Sequence, residues 1–283
     1  MDIRSFKAKH LASLIGRSDS PELDLDIIIA LCLDKDRTFL YSHPEYEIPI
    51  AAACRAGRLI KKRQHGYPVA YLRGYQPFMG LEFQLNRQTL VPRPETEIMV
   101  EKILEEMKEN TLVIDVGTGS GAIAVSLAKL NKKNNCRFAA TDISLQALSQ
   151  ARRNAKRQQA AIDFYWRDLI RLFPWKKYAD YKNLIIAANL PYLSPEIYKE
   201  AKTIRKEPKR ALLSQEKGLH HYRRLFQQLE KVPHRFAHIL AYCEISPEQT
   251  PIFREYYKEK DKEMWVTKDL TGKDRIIKVV WQA

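Results

Sequence analysis

Apolar positions recur at two different spacings along this chain, and the change of spacing divides it. Over residues 1–65 the spacing is helical. Leu11, Leu14 and Ile15 share one face of a first helix. Ile27, Ile28, Leu31 and Cys32 line a second, which starts near Ser20-Pro21 with the proline at an early helical position. A third is predicted over 48–64. No strand pattern interrupts them, so 1–65 reads as a small helical N-terminal domain. Over 66–90 the aromatics Tyr71, Tyr75, Phe78 and Phe83 are broken by Gly66, Gly74 and Gly80, the pattern of a β-hairpin linker. From Thr111 onward short apolar runs alternate with helical patterns. Strands are predicted over 112–116, 138–141, 162–166, 184–188 and 238–245, and helices over 121–131, 145–158 and 219–231. Such alternation builds a mostly parallel sheet with helices on both faces. Ser246-Pro247-Glu248 predicts a further helix start, with an N-cap and proline at its first position. Segments 264–267 and 275–281, joined by Thr271-Gly272-Lys273, predict a C-terminal antiparallel hairpin. The fold class is therefore α/β over 91–283, preceded by the helices and the linker.

Composition narrows the setting. The chain has 283 residues, 45% hydrophobic and 29% charged, enough apolar material for a real core in a water-soluble protein. The longest apolar run, Ile27 to Leu33, falls far short of the ~20 residues that span a bilayer. The opening MDIRSFKAKH lacks the apolar core of a signal peptide. A cytoplasmic location away from membranes is expected, and so is a monomer. Cys32, Cys54, Cys136 and Cys243 have no paired spacing and are predicted to be free buried thiols. His234 and His238 lack an accompanying cysteine pair, so no metal is expected. The net charge of +14 favours an anionic partner: nucleic acid, a ribosome-associated factor or an acidic protein. Basic clusters lie at 58–63, 152–157 and 199–210; each also reads as a solvated helix face.

Candidate chemistry begins at VIDVGTGSGAIAVSLA, between a predicted strand and a predicted helix. Gly117, Gly119 and Gly121, with Thr118 between the first two, let the backbone turn sharply and approach a ligand. Asp142, 21 residues after Gly121 and at the end of the next strand, is placed to accept hydrogen bonds from ribose hydroxyls. Gly117-x-Gly119-x-x-Ala122 also satisfies a relaxed dinucleotide pattern. Asp115, two residues before the first glycine, shifts the balance. A carboxylate beside the loop suits the cationic S-adenosylmethionine and would repel a pyrophosphate. Asp168, after the third strand of this series, is a candidate acceptor for an adenine amino group; an N-cap or a surface carboxylate is the competing reading.

The segment Asn189-Leu190-Pro191-Tyr192 leaves the fourth strand at the same sheet edge. A planar nitrogen, in a carboxamide or an exocyclic amine, is a poor nucleophile because its lone pair is delocalised. Acceptors aimed at its N–H bonds position it and favour the charge that develops during methyl transfer. Asn189 offers a side-chain carbonyl and Leu190 a main-chain one, whose direction Pro191 restricts. Tyr192 can wall the planar group by stacking. The competing reading is a plain turn with a core tyrosine.

At these residues the chain resembles the amino-methyltransferases that act on adenine or glutamine nitrogens. YLRGYQPFMGLEF, LVPRPETE, EISPEQ and DLTGKDRII narrow the resemblance to the release factor glutamine methyltransferases (the PrmC/HemK family), over nearly the whole chain. The resemblance implies a Rossmann-like methyltransferase domain that uses S-adenosylmethionine. It implies as substrate the glutamine side-chain amide in the Gly-Gly-Gln loop of class-I peptide chain release factors, with the helical segment as docking surface. Carried over by motif, Gly117, Thr118, Gly119 and Gly121 form the cofactor loop, Asp142 takes the ribose, and Asp168 lies near the adenine. Asn189 and Leu190 hold the amide, and PRPETE helps close the site around the methionine end. Direct nucleic-acid contact is not required. The usual family tetrapeptide is Asn-Pro-Pro-Tyr; Asn-Leu-Pro-Tyr also occurs in rRNA adenine dimethylases. An adenine methyltransferase therefore stands as one alternative, and a catalytically silent binding protein of the same fold as another.

Overall fold

A computed structural model describes residues 1–200, 204–233, 235–258 and 262–282. The N-terminal helices are α1 (Ile3–Leu11), α2 (Pro21–Leu33), α3 (Arg37–Ser42), α4 (Ile50–Gln64) and α5 (Val69–Arg73). Ile3, Phe6, Leu25, Ile28, Leu40 and Ile60 bury their side chains in a core of their own. Four details depart from the sequence pattern. α1 stops at Leu11; Leu14 lies in the following turn but is buried, and Ile15 is exposed. α3 is an additional short helix, started by an Asp36 carboxylate that accepts from the Phe39 N–H. The third predicted helix begins at Ile50, after Pro49. α5 falls inside the span read as linker, and its Val69 and Leu72 pack on the helical core.

The hairpin follows as β1 (Tyr75–Phe78) and β2 (Leu81–Gln84). α6 (Pro94–Glu106) then starts with proline in its first turn and Glu95 and Glu97 in the electropositive end. The Glu97 carboxylate reaches back to accept from the Met79 N–H at 2.6 Å, which ties the hairpin turn to this helix.

The remaining elements are β3 (Thr111–Val116), α7 (Ala122–Leu130), β4 (Arg137–Asp142), α8 (Leu145–Arg157), β5 (Ile162–Trp166), β6 (Asn183–Ala188), α9 (Pro195–Glu200), α10 (His220–Leu229), β7 (His238–Glu244), α11 (Thr250–Lys258), β8 (Met264–Lys268) and β9 (Asp274–Gln282). The sheet order is β5-β4-β3-β6-β7-β9-β8. The first five strands in that order are parallel, and β9 runs antiparallel between β7 and β8. Side chains alternate across the strands, so Leu112, Ile114 and Val116 join the core under α10 and α11, while Val113 joins the one under α6 and α7. Continuous burial along β3 follows, because both faces are covered. The predicted start at Ser246 is a capping box: Gln249 closes it, and a single 3₁₀ turn precedes α11.

Of the four free cysteines only Cys243 is buried; Cys32 and Cys136 are half-buried and Cys54 is exposed, so the expectation of buried thiols is corrected for three of them. His234 and residues 201–203 of the third basic cluster lie outside the described residues. No helix among the described residues is long and apolar enough to cross a membrane.

Candidate active site

The chain runs outward from β3 to β5 on one side of the sheet, then returns to lay β6 against β3 on the other. Open α/β sheets bind ligands outside the carboxyl ends of strands at such a reversal. The register makes this specific. Val116 pairs with Thr141 on one side and Ala188 on the other, and Ala188 pairs with Cys243. The next residue along each strand is Asp142, Gly117, Asn189 and Glu244. Four residues far apart in sequence thus emerge side by side at one edge.

The glycine loop is built for close approach. Gly117 has φ +75°, and a Cβ there would lie 2.9 Å from Leu190 Cδ2. Gly121 has φ +84°, and a Cβ there would meet Ala151 Cβ at 3.1 Å, so this glycine brings α7 against α8. Asp142 spans the loop: Oδ2 accepts from Gly119 N–H at 2.9 Å and Oδ1 from Ser144 N–H at 2.8 Å. Burial raises its carboxyl pKa, and these two amides oppose the rise.

Asp115 sits beneath the loop rather than facing the ligand space. Its Oδ2 accepts from Thr118 Oγ1 at 2.6 Å and from Ala124 N–H at 3.2 Å. Among the described residues Oδ1 has no partner. Burial pushes its carboxyl up to about 7 against the pull of those two donors. This placement differs from the expectation of a carboxylate beside a cationic ligand; the side chain braces the glycine turn onto the start of α7.

Asn189 is fixed by groups that the sequence reading did not single out. Its Nδ2 donates to Glu244 Oε2 at 2.9 Å and to Thr96 Oγ1 at 3.1 Å. Thr96 Oγ1 in turn donates to Glu244 Oε2 at 2.5 Å. With the amide nitrogen held there, the carbonyl Oδ1 is left for the cavity that Asn189 lines. Leu190 is buried, and its N–H donates to the Tyr222 hydroxyl at 3.2 Å. Tyr192 is not one of the cavity walls; its hydroxyl donates to Glu244 Oε1 at 3.1 Å. Burial raises the Glu244 carboxyl, which the Thr96 and Tyr192 hydroxyls and the nearby charge of Arg275 oppose. Glu244 opens EISPEQ and Thr96 lies within PRPETE. An acidic residue at the end of an apolar run, in chain order the next strand after Asn189's, was the available signal.

These residues enclose a cavity of about 810 Å³. Gly117, Thr118, Gly119, Asp142, Asp168, Asn189, Leu190 and Pro191 contribute to its walls, and Asp115, Gly121 and Tyr192 do not. Asp168 pairs with Arg224, another wall residue. Pro208, Lys209, Arg210 and Ala211 add one further short segment to the walls, a strap. The buried Glu207 anchors it by accepting from the Val91 N–H at 3.0 Å and from the Arg93 guanidinium.

Comparison with known proteins finds relatives over nearly the whole chain. Residues 9–74 match the family model described as the PrmC N-terminal domain, and residues 107–269 match one described as a methyltransferase domain. A release factor glutamine methyltransferase of Bacillus cereus is 33% identical over 95% of this chain and 96% of its own length. Its namesake in Bacillus subtilis is 36% identical over 95% and 94%. Among solved structures, the hMettl16 catalytic domain in complex with a MAT2A 3'UTR hairpin superposes with a TM-score of 0.58, at 14% identity over 90% of each chain, a likeness of fold alone.

Proposed function

This chain belongs to the release factor glutamine methyltransferases, and from that premise we propose that it methylates the side-chain amide nitrogen of the Gly-Gly-Gln glutamine in a class-I peptide release factor, with S-adenosylmethionine as donor. The observation that carries the reading is the locked carboxamide of Asn189, one residue past the strand that neighbours the glycine loop. The donor, when bound, supplies an electrophilic methyl group on a sulfonium.

The residues present fit such a ligand. The cavity lies within the ~300–1,000 Å³ of ordinary ligand sites. Gly117 leaves no room for a side chain between the loop and Leu190. Asp142 keeps lone pairs for ribose hydroxyls beyond the two taken by amides. Asp168 serves an adenine amino group on the face not occupied by Arg224.

The Asn189 Oδ1 and the Leu190 main-chain carbonyl accept the two N–H bonds of the substrate amide. They hold its nitrogen in line with the methyl group and stabilise the positive charge that grows on it. The donor would give up its methyl group to this nitrogen and leave as the neutral thioether, while Asn189 and Leu190 keep the amide in place and its proton passes to water. No strong base is required. The helical N-terminal segment serves as the docking surface for the release factor. The adenine alternative has no comparable support, since the relatives above are named for release factor glutamine.

The test is a methyl-transfer assay that offers release factor, a release factor with that glutamine replaced, and ribosomal RNA side by side. Incorporation into the first alone is expected. Methylated RNA with an unmodified release factor would overturn the reading.

A further inference from the structure

Three separate segments converge on Glu244, the last residue of β7, which is 1% exposed. Its Oε2 accepts from Asn189 Nδ2 and from Thr96 Oγ1, and its Oε1 accepts from the Tyr192 hydroxyl. Its main-chain carbonyl accepts from the Tyr222 hydroxyl, which itself accepts from the Leu190 N–H. Glu244 therefore holds Asn189 and Tyr192 directly and Leu190 through the Tyr222 hydroxyl.

We propose that Glu244 is the positioning residue of the substrate-amide site, setting which end of the Asn189 carboxamide faces the substrate. The two ends of a carboxamide have nearly the same shape and opposite hydrogen-bonding character. Turned about, Asn189 would set its oxygen against the carboxylate and its NH2 toward the substrate's own NH2, a donor facing donors. With Oε2 accepting from Thr96 and Oε1 from Tyr192, the Glu244 carboxyl presents an acceptor to Asn189 and so favours a single orientation. Thr96 reinforces this choice, because its one proton goes to Glu244 and its oxygen is left to accept from Asn189. Glu244 itself touches no reacting atom. A merely structural carboxylate would affect folding and leave turnover of the folded enzyme unchanged.

The inference rests on the amide-methylating reading, and the two fail separately. Wild-type turnover tests that reading; the ratios between variants test this inference on whatever substrate nitrogen the wild type methylates. Full-length Glu244→Leu, Glu244→Gln and Asn189→Ala are compared by S-adenosylmethionine affinity in calorimetry and by kcat. Glu244→Leu is expected to lower kcat by about 100-fold or more, the usual scale for a lost preorganised partner, with donor affinity within about threefold. Glu244→Gln should recover to within about tenfold of wild type, because its carbonyl can take the place of Oε2 while the Tyr192 hydroxyl turns to accept from its NH2. In an Asn189→Ala background the Glu244→Leu loss should shrink to within about threefold, the mark of residues acting through one another. A Glu244→Leu enzyme with near-normal kcat, or an undiminished loss in the Asn189→Ala background, overturns the proposal. Should Glu244→Leu fail to fold, Thr96→Val decides, since it removes one acceptor from Asn189 Nδ2. About tenfold lower kcat is expected in the wild type and no further loss in Asn189→Ala, whereas equal losses in both backgrounds overturn it.

Discussion

Leu190 combines three jobs that a proline at the same position would divide differently. Its N–H donates to Tyr222, its side chain fills the space beside Gly117, and its carbonyl is assigned to the substrate. Leu190→Pro restores the commoner family tetrapeptide but loses the first bond, worth ~0.5–1.5 kcal/mol net. A small drop in the urea midpoint is expected with most of kcat kept. Asn189→Ala should instead cut kcat by about 10²–10³ while S-adenosylmethionine affinity stays near normal. Steady-state kinetics and calorimetry check that ordering; an active Asn189→Ala enzyme would make this segment a plain turn. Asp115 makes a prediction of another kind. An acid whose folded pKa is raised from 3.8 to about 7 binds its proton more tightly folded than unfolded. Its contribution is fully present below pH 3.8 and lost as pH rises through about 7. At ~1.36 kcal/mol per pKa unit the span is of order 4 kcal/mol. Asp115→Asn should flatten the fall in urea midpoint between acid and neutral pH, and the difference between the two profiles isolates this residue.

At the scale of elements, the strap and the strand order decide the site. Glu207 fastens residues 208–211 to the segment ahead of α6 through Val91 and Arg93. Glu207→Ala leaves the buried Val91 N–H unpaired, a loss of ~1–3 kcal/mol, and frees one wall of the cavity. Weaker S-adenosylmethionine binding is expected along with lower stability; unchanged affinity would mean that the strap does not contact the ligand. The alternation of strands and helices was legible because β3, β4, β6 and β7 are apolar runs bounded by helix signals. The glycine loop and Asn189 were legible because each follows such a run. What pattern could not supply was adjacency. Glu244 meets Asn189 only because β7 lies next to β6, and sheet order is settled by long-range packing that leaves no periodic trace. Burial was equally hidden for Asp115: its position beside the glycines suggested contact with a ligand, while packing turned it under the loop. The short helices α3 and α5 escaped notice because five or six residues are too few to show a 3.6-residue period.

At the scale of the molecule, the buried apolar side chains among the described residues form three cores, and the helical N-terminal segment owns one of them. That separation bears on where the segment can be removed. A cut at residue 65 would strip α5 of the core on which Val69 and Leu72 pack. A cut before Gly74 falls at a natural seam, because that glycine ends α5 with φ +89°, and β1 begins at the next residue with its own packing under α6 and α7. None of the residues assigned to chemistry precedes it; the first is Thr96. Residues 1–73 carry 12 Lys and Arg against 9 Asp and Glu, a net +3 of the chain's +14, so docking there is a matter of surface contact that a large folded partner can make and a short peptide cannot. A chain that starts at Gly74 is expected to bind S-adenosylmethionine normally and to methylate a short Gly-Gly-Gln peptide at the full-length rate. On intact release factor its KM should rise by at least about tenfold, the loss of ~1.4 kcal/mol of docking energy, with kcat little changed. Steady-state kinetics on the two substrates distinguish the outcomes. Parallel losses on peptide and protein would show that the helices support the catalytic fold instead of recruiting the substrate, and the docking assignment would fall.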